Sequence, residues 1–321
     1  MQDSSSTANL MSHLLRMKTA FPRRSFLRYT AAAIGASAMT PRFYAAEAEA
    51  VPKKAAPLKK AIMWGTVGVK GSVLEKMKAV KEAGFEGVEP NSHMDQSEVA
   101  DALQQTGLKA ASVCCSTHWN LTLSHASENI REKGLEGLRQ SLRDAKHYGA
   151  TSVLLVPGTA RDGVSYEQCW QRSIEQIRKA IPLAEQCGAV ISIENVWNDF
   201  ITKEDEAARY LDEINSPWVQ WHFDVGNIIW YGDPLAWIKK LGNRIRRLHI
   251  KEYSRDLAMK KGRGAGFNAK FLEGANNWPA IIKALAEAGY PGTWGIAEQP
   301  GGGTLDGLKD LSSRMDKIFA G

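Results

Sequence analysis

The sequence predicts a single α/β domain in which eight parallel strands, each followed by a helix, close into a barrel. Short apolar runs alternate with helical patterns eight times between residues 61 and 321. Eight such units in one domain length favour the closed (β/α)8, or TIM, barrel, which typically needs ~250 residues, over an open doubly wound sheet. The first run is not followed by a glycine-rich G-x-G-x-x-G turn, so a dinucleotide-binding sheet is disfavoured.

The predicted strands are short apolar runs that end at glycine, proline or polar residues. In chain order they cover residues 61–64, 87–90, 109–116, 152–156, 190–194, 219–224, 245–249 and 293–298. The predicted helices repeat apolar residues at helical spacing, and some stop at a glycine such as Gly84 or Gly107. They cover residues 73–83, 96–105, 128–148, 166–187, 203–215, 234–241, 278–288 and 305–319.

The first fifty residues differ from the barrel in their pattern. Residues 22–28 read Pro-Arg-Arg-Ser-Phe-Leu-Arg, residues 29–39 form a modest apolar stretch, and residues 46–50 offer two Ala-x-Ala sites. A basic segment, a short apolar run and a small-residue cleavage site, in that order, are typical of a removable export signal. We therefore expect a twin-arginine signal in residues 1–50, a linker in residues 51–60 and a periplasmic barrel in residues 61–321.

Composition and charge exclude other classes of protein. The chain is 44% hydrophobic and 24% charged, which is ordinary for a soluble globular protein. Residues 1–50 hold six basic and three acidic side chains, so their removal lowers the formal net charge from +6 to +3. No basic block with interleaved aromatics remains to bind nucleic acid, and no other apolar segment is long enough to span a membrane.

The four cysteines show no Cys-x-x-Cys spacing and are expected to be buried thiols. The assembly state stays open between a monomer and a homo-oligomer.

Four acid or imidazole side chains end four successive predicted strands in the second half of the chain. They are Glu194, Asp224, His249 and Glu298. In a parallel barrel the C-terminal ends of the strands converge on one face, where the chemistry of such barrels takes place. Three carboxylates and one imidazole suit one divalent ion, Mn²⁺, Mg²⁺, Co²⁺ or Zn²⁺, whereas a structural zinc site more often uses thiolates. Each residue alone is compatible with hydrogen-bonded scaffolding, but the four together predict a metal site.

Other polar residues follow the predicted strands at the same end. Glu89 is expected to contact the substrate or to orient a neighbouring strand end. His118 and the adjacent Trp119, which follow the third strand, are expected to line the pocket or to pack within their loop. Lys251 and Glu252 alternate in direction, so one of them faces the pocket. The basic segment 260–267 is expected to be a mobile loop that acts as a lid or is simply solvated.

Six segments around these residues carry motifs. They are residues 84–89 (Gly-Phe-Glu-Gly-Val-Glu), 193–198 (Ile-Glu-Asn-Val-Trp-Asn), 223–227 (Phe-Asp-Val-Gly-Asn), 248–252 (Leu-His-Ile-Lys-Glu), 278–285 (Trp-Pro-Ala-Ile-Ile-Lys-Ala-Leu) and 292–298 (Gly-Thr-Trp-Gly-Ile-Ala-Glu). Over roughly residues 60–320 the sequence thereby resembles the sugar phosphate isomerase/epimerase superfamily, the xylose isomerase-like barrels. That superfamily includes ketose 3-epimerases, hydroxypyruvate isomerase and DNA repair enzymes of the endonuclease IV type.

The resemblance implies a role for each residue of the predicted metal site. Glu194, Asp224, His249 and Glu298 hold one divalent metal ion, with Mn²⁺ as the expected ion. Glu194 and Glu298 also act as acid and base on opposite sides of the carbon that is epimerised. Arg255, six residues after the ligand histidine, is implied to contact the substrate.

The chain departs from the pattern of the ketose epimerases at two positions. Asn227 stands where many members have a histidine, and Phe200 stands where the epimerases usually have an acid. Asparagine keeps a hydrogen-bonding group but carries no proton near neutral pH, so we expect Asn227 to bind substrate. Trp64, Trp197 and Trp230 are expected to offer apolar faces to a sugar ring or to pack in the core.

These observations predict a metal-dependent isomerase or epimerase of a sugar or keto-sugar, acting through an enediolate-type intermediate. The alternative is a metal-dependent lyase or hydratase that acts on 3-keto-glycosides by the same proton abstraction. An enzyme like the AP endonucleases and a non-catalytic sugar-binding barrel are further alternatives. The expected export favours free sugars and glycosides over sugar phosphates, which are mainly cytoplasmic.

Overall fold

The structure is a computed structural model, and it describes residues 58–320. The predicted export signal, residues 1–50, and most of the predicted linker lie outside the described residues. The first strand, β1, covers Lys59–Met63, so Lys59 and Lys60 belong to the barrel and not to the linker. Lys60 is held in the strand because its ammonium bonds to Ser312 Oγ at 2.9 Å and Asp316 Oδ2 at 2.7 Å on the last helix.

Nine parallel strands form the sheet within the described residues. After β1 they are β2 Gly87–Glu89, β3 Lys109–Ala110, β4 Val113–Cys114, β5 Ser152–Leu155, β6 Val190–Glu194, β7 Val219–Asp224, β8 Ile245–Ile250 and β9 Trp294–Ala297. Strands β3 and β4 are two halves of the run predicted at residues 109–116. The first half pairs with β2 and the second with β5, while Asn91 bridges to Cys114. The nine strands therefore occupy eight barrel positions, and the predicted barrel fold is confirmed.

The long helices form the outer layer of the barrel. They are α1 Val73–Glu82, α2 Gln96–Thr106, α3 Glu128–Tyr148, α4 Tyr166–Cys187, α5 Glu204–Ile214, α7 Pro234–Leu241, α9 Trp278–Glu287 and α10 Leu305–Ala320. Two short helices, α6 Val225–Ile229 and α8 Arg255–Lys261, were not predicted. Each follows a site-bearing strand and begins at a side-chain cap, since Asp224 and Ser254 accept hydrogen bonds from Asn227 N and Leu257 N. Within residues 58–320, no helix combines the length and the hydropathy needed to cross a bilayer.

Strand β7 shows how alternation sorts the side chains between the two faces of the sheet. Trp221 and Phe223 face the helix layer and pack against Trp237 of α7, with ring centroids 5.9 and 6.1 Å apart. His222 and Asp224 therefore face the barrel interior. The apolar outer face is buried against α7, and this packing holds the strand in the register that places Asp224 at the C-terminal rim.

Helix α6 lies directly against the end of β8. A Cβ atom on Gly226 of this helix would lie 2.7 Å from the carbonyl oxygen of Lys251. Only glycine permits so close an approach of the two backbones. The contact brings the start of α6, with Asp224 as its cap, next to the strand that carries His249.

Candidate metal centre

The four predicted ligands converge at the C-terminal rim of the barrel. Glu194, Asp224 and His249 lie on β6, β7 and β8, and Glu298 follows β9 directly. Each residue offers one ligand atom, and these four atoms all lie within 4.8 Å of one another. Glu194, Asp224 and His249 are buried, and Glu298 is half-buried. The convergence follows from topology, because the four strands are neighbours in one parallel sheet.

The two ring nitrogens of His249 face different partners. Nδ1 lies 2.8 Å from Glu194 Oε1, 2.9 Å from Glu298 Oε2 and 3.9 Å from Asp224 Oδ2. Nε2 lies 3.0 Å from Glu89 Oε2. Burial alone lowers the pKa of His249, but the carboxylates of Glu89, Glu194 and Glu298 outweigh burial and raise that pKa well above its ordinary value. Nδ1 is therefore the nitrogen that faces the three carboxylates of the site.

Glu89 lies behind His249, with Oε2 3.0 Å from Nε2 of the imidazole. Its side chain is fully buried on the far side of the imidazole, and it is not among the described residues that line the neighbouring cavity. A carboxylate that accepts the second N–H of a ligand histidine fixes the tautomer and the orientation of the ring. This position favours the second expectation for Glu89, that it orients a neighbouring strand end, while its contact with substrate stays a prediction.

We expect the Glu89→Gln variant to bind Mn²⁺ about 10–100-fold more weakly than the parent, because a neutral amide orients and polarises His249 less than a carboxylate does. Isothermal titration of the metal-free proteins with MnCl₂ measures this difference. The matched control is Glu287→Gln on the exposed face of α9. An unchanged affinity in Glu89→Gln contradicts the positioning role.

The site has the properties that a divalent cation requires. Asp224 Oδ2 and Glu298 Oε2 are buried and have no hydrogen-bond partner among the described residues; the close approach of Glu298 Oε2 to His249 Nδ1 lacks hydrogen-bond geometry. Burial raises the pKa of Asp224 well above its usual range, and burial also raises the pKa of Glu194. Unpaired buried carboxylates are costly. Three carboxylates and one imidazole therefore fit one Mn²⁺, Mg²⁺, Co²⁺ or Zn²⁺ ion.

Lys251 offsets part of this negative charge. Its ammonium lies 2.8 Å from Glu298 Oε1 and 3.5 Å from Asp224 Oδ2. It also lies 4.7 Å from the centre of the Phe267 ring. Burial alone raises the pKa of Glu298, but Lys251 and His249 outweigh burial and hold that pKa well below its ordinary range. Glu298 is thereby kept ionised, whereas Glu194 and Asp224 are more readily protonated.

A cavity of about 260 Å³ opens beside the four ligands. Its wall combines polar and apolar side chains, namely Met63, Cys114, His118, Trp119, Leu154, Glu194, Val196, Trp197, Asn227, Lys251, Phe267 and Glu298. Of the predicted substrate-binding residues, the structure places His118, Asn227 and Lys251 in this wall. Met63 and Cys114 were missed, because apolar residues at strand ends give no signal that separates a cavity wall from core. Phe267 was missed because it lies in a 3₁₀ helix that was not predicted.

His118 is held as a neutral donor in the cavity wall. Its Nδ1 accepts a hydrogen bond from Val156 N at 3.2 Å, so the proton of the neutral ring lies on Nε2. Burial lowers the pKa of His118 to about 4. The imidazole therefore stays uncharged near neutral pH, and its Nε2–H is available to a substrate oxygen.

Two asparagines lock the ends of β6 and β7 together. Asn195 Nδ2 donates to the carbonyl of Asp224 at 2.8 Å, and Asn195 Oδ1 accepts from Asp224 N and Trp221 Nε1, both at 3.1 Å. Asn227 Nδ2 donates to the carbonyl of Asn195 at 3.0 Å. Its amide thus has a structural bond on one side and faces the cavity on the other. This network fixes the direction in which Asp224 points.

Arg255 is not a cavity residue in this structure. Its guanidinium donates two hydrogen bonds, of 2.9 and 2.7 Å, to the carbonyl oxygen of Ile229 at the end of α6. The side chain is exposed, and it is absent from the cavity wall formed by the described residues. In this structure the guanidinium caps a helix C-terminus, which attracts a cation, and the substrate contact of Arg255 stays a prediction. Spacing after His249 did not reveal this, because α6 was not predicted.

Two further expectations concern the surroundings of the cavity. The segment 260–267, expected to be a mobile loop, forms the end of α8 and a 3₁₀ helix over Arg263–Asn268, with Phe267 in the cavity wall. Phe200, at the position where the epimerases usually carry an acid, is buried in an aromatic cluster with Trp170 and Tyr210. It packs in the outer core and is not one of the described residues that line the cavity.

Comparison with known proteins places this geometry in a family. The family model described as the xylose isomerase-like TIM barrel matches residues 77–316. The chain belongs to this family. The xylose isomerase-like barrel extends over the strands that carry all four predicted ligands.

The relatives of this xylose isomerase-like protein include sugar epimerases. L-ribulose-5-phosphate 3-epimerase UlaE of Shigella flexneri is 22% identical over 264 residues, which cover 76% of this chain and 90% of that protein. The fold is similar to that of 3-keto-D-glucoside 4-epimerase YcjR of E. coli, with a TM-score of 0.69, 18% identity, and coverage of 82% of this chain and 100% of that one. D-allulose 3-epimerase of a Methylomonas species gives a TM-score of 0.67 and 17% identity over 81% of this chain and 96% of that one. These relatives support the prediction of an enzyme.

Proposed function

We propose that the protein is a divalent-metal-dependent epimerase or isomerase of a keto-sugar, acting through an enediolate-type intermediate. One observation carries the proposal. Glu194 and Glu298 approach His249 Nδ1 from two strands on either side of it, at 2.8 and 2.9 Å, and both line the cavity. Two carboxylates that line the same cavity suit the removal of a proton from one face of a carbon and its return to the other. The sugar epimerases among the relatives support the same reaction class.

Each residue has a defined task in the proposed reaction. Glu194, Asp224, His249 and Glu298 would hold the metal ion, which when bound polarises the substrate carbonyl and stabilises the negative charge left by proton loss. Glu298 is the base, because Lys251 and His249 keep its carboxylate ionised. Glu194, which lines the same cavity as Glu298, is the second member of the acid/base pair.

Three further side chains hold the substrate in this scheme. His118 donates its Nε2–H to a substrate oxygen, Asn227 presents its amide, and Lys251 lies next to the base. The surrounding apolar side chains exclude water from the cavity, and this strengthens the electrostatic contacts inside it. Mn²⁺ is the proposed ion, because a carboxylate-rich site with one imidazole suits a hard to borderline cation.

Product analysis in deuterated buffer tests the reaction class. The metal-free protein, reloaded in turn with Mn²⁺, Mg²⁺, Co²⁺ or Zn²⁺, is incubated with 3-keto-glucose, methyl 3-keto-glucoside and D-allulose, and the products are analysed by NMR. We expect an epimer or isomer that carries deuterium at the reacting carbon. Release of methanol from methyl 3-keto-glucoside instead indicates a lyase reaction. The absence of solvent exchange and turnover with every ion and sugar contradicts both.

The proposed site differs from what an AP endonuclease of the same fold requires. Those enzymes typically bind three metals through several histidines. Here His222 lies inside the barrel with its ring centroid 4.2 Å from that of His249, and it is not among the described residues that line the cavity. His118 is the one further imidazole that the described cavity wall contains. Glu89, His222 and His249 form a second group of potential ligands, but it shares His249 with the four-residue site, and none of its members is among the described residues that line the cavity. The proposal therefore keeps one ion and a small substrate at the cavity.

We further propose that the protein is exported to the periplasm by the twin-arginine route, on the strength of the Arg23-Arg24 pair and the Ala-x-Ala sites that follow it. Conservative replacement of both arginines by lysine abolishes recognition while keeping the charge. We expect the double variant Arg23→Lys, Arg24→Lys to remain in the cytoplasmic fraction at the precursor length, as judged by immunoblotting. The control variant Arg16→Lys, outside the motif, is expected to be exported and shortened. Export of the double variant contradicts the proposal.

A further inference from the structure

A solvent-exposed tryptophan, Trp119, lies at the mouth of the cavity. Trp119 belongs to the cavity wall, yet 49% of its surface is exposed. Four other large apolar residues in residues 58–320 are similarly exposed, and none of them lines this cavity. An exposed aromatic face is ordinary on a protein surface when it stands alone, but at the rim of a binding cavity it marks a contact surface.

The backbone around Trp119 is built to hold the indole in place. Leu121 N donates to the carbonyl of Thr117 at 2.8 Å, and Asn120 N donates to it at 3.1 Å, so the residue sits in a hydrogen-bonded turn. This turn packs on α3 at two glycines. A Cβ atom on Gly134 would lie 2.2 Å from Leu121 O, and one on Gly137 would lie 2.2 Å from Thr117 Oγ1.

The indole itself is also braced. Its ring lies edge-on against the His118 ring, with centroids 5.5 Å apart and an interplanar angle of 87°. His118 is in turn fixed by its hydrogen bond from Val156 N. The tryptophan is therefore positioned before any ligand binds, and little side-chain entropy is lost when a ligand covers it.

Polarity changes along the cavity. The deep part holds the charged groups, Glu194, Lys251 and Glu298, next to the predicted metal position. Aromatic rings form further parts of the wall, where Trp197 and Phe267 lie with their centroids 4.8 Å apart. The volume of about 260 Å³ is below the ~300–1,000 Å³ of pockets that enclose a drug-sized ligand. One sugar ring fills such a space, so a second ring attached to it has to lie at the mouth.

We propose that Trp119 is the stacking platform for the aglycone of a keto-glycoside, and that the natural substrate is a glycoside with a cyclic aglycone, either an aryl group or a second sugar ring. This inference rests on the proposed function, since the keto-sugar ring occupies the cavity beside the predicted metal. The flat face of an aryl group or the C–H face of a sugar covers the indole and removes both apolar surfaces from water. Trp119 carries no charge and offers a phosphate only its single indole N–H.

Binding of two unreactive ligands tests the platform. The Mn²⁺-loaded parent, Trp119→Ala and Trp119→Phe are titrated calorimetrically with phenyl β-D-glucoside and methyl β-D-glucoside. We expect the parent to prefer the phenyl glycoside by about three- to tenfold. The preference disappears in Trp119→Ala and is largely kept in Trp119→Phe. Trp230→Ala, at an exposed tryptophan outside the cavity wall, is the matched control and keeps the preference.

Turnover separates this inference from the proposed function. With phenyl 3-keto-glucoside as substrate, we expect Trp119→Ala to raise KM by a similar factor and to leave kcat unchanged. If the parent binds and converts the phenyl and methyl glycosides equally well, Trp119 is not a stacking platform, while the proposed function stands. A Trp119-dependent preference for the phenyl glycoside, with no conversion of any keto-sugar, overturns the proposed function while the platform stands.

Discussion

The Glu298→Gln variant is expected to lose kcat on the keto-sugar substrate by about a thousandfold or more. Glutamine has the shape of glutamate but removes the base, which alone contributes about 10²–10⁴ in rate, and it also weakens one metal ligand. The loss is large here because Lys251, 2.8 Å from Glu298 Oε1, keeps the native carboxylate ionised and ready to accept a proton. Steady-state kinetics at saturating Mn²⁺ measure the effect.

Glu287→Gln on the surface of α9 is the matched control for this measurement, since the same chemical change lies outside the cavity. Its kcat is expected to equal that of the parent. A retained kcat in Glu298→Gln excludes Glu298 as the base. A parent with no activity under any metal, together with unchanged sugar binding in Glu298→Gln, points instead to a non-catalytic sugar-binding barrel.

The effect of Asp224→Asn on the free energy of unfolding is expected to change sign when the metal is removed. With Mn²⁺ present the variant is less stable than the parent, because it loses a ligand and binds the ion at least about 100-fold more weakly. The parent gains about 2.7 kcal/mol when free Mn²⁺ is 100 times its dissociation constant, and the variant forfeits most of this gain. With EDTA the variant is the more stable protein, since one negative charge of a buried carboxylate cluster has been removed.

Asparagine is the informative substitution at this position because it separates two roles of Asp224. The carboxylate caps α6 by accepting from Asn227 N at 2.8 Å, and asparagine caps a helix about as well as aspartate. The change in stability therefore reports the charge and the metal. Thermal unfolding of both proteins in Mn²⁺ and in EDTA gives the four midpoints, and the same order of stability in both buffers contradicts Asp224 as a ligand.

Much of the helical layer follows from the sequence alone. Helices α3, α4 and α7 begin and end at the predicted residues. Their ends are predictable because each is followed by a glycine in a positive-φ conformation: Gly149, Gly188 and Gly242. A glycine at this position is a local stop signal that needs no tertiary contact. The short helices α6 and α8 carry no such apolar repeat. They form because caps at the strand ends and packing against neighbouring strands start them.

The convergence of the four candidate ligands was also predictable, whereas the positions of their neighbours were not. The alternation of side chains along a strand and the convergence of strand ends place Glu194, Asp224, His249 and Glu298 together in any parallel barrel with this strand order. The position of Glu89 behind His249 depends on how β2 and β8 face each other across the barrel. No spacing in the sequence encodes that distance of 3.0 Å.

Local patterning thus determined the barrel, its strand–helix order and the four side chains that converge at its rim. Only the tertiary structure decided what surrounds them. In it, Glu89 lies next to Nε2 of His249, Arg255 bonds to the end of α6, and Trp119 lies at the mouth of the cavity. The physical reason is that chain periodicity sets the face on which a residue lies, while its neighbours across the barrel come from packing between segments far apart in sequence.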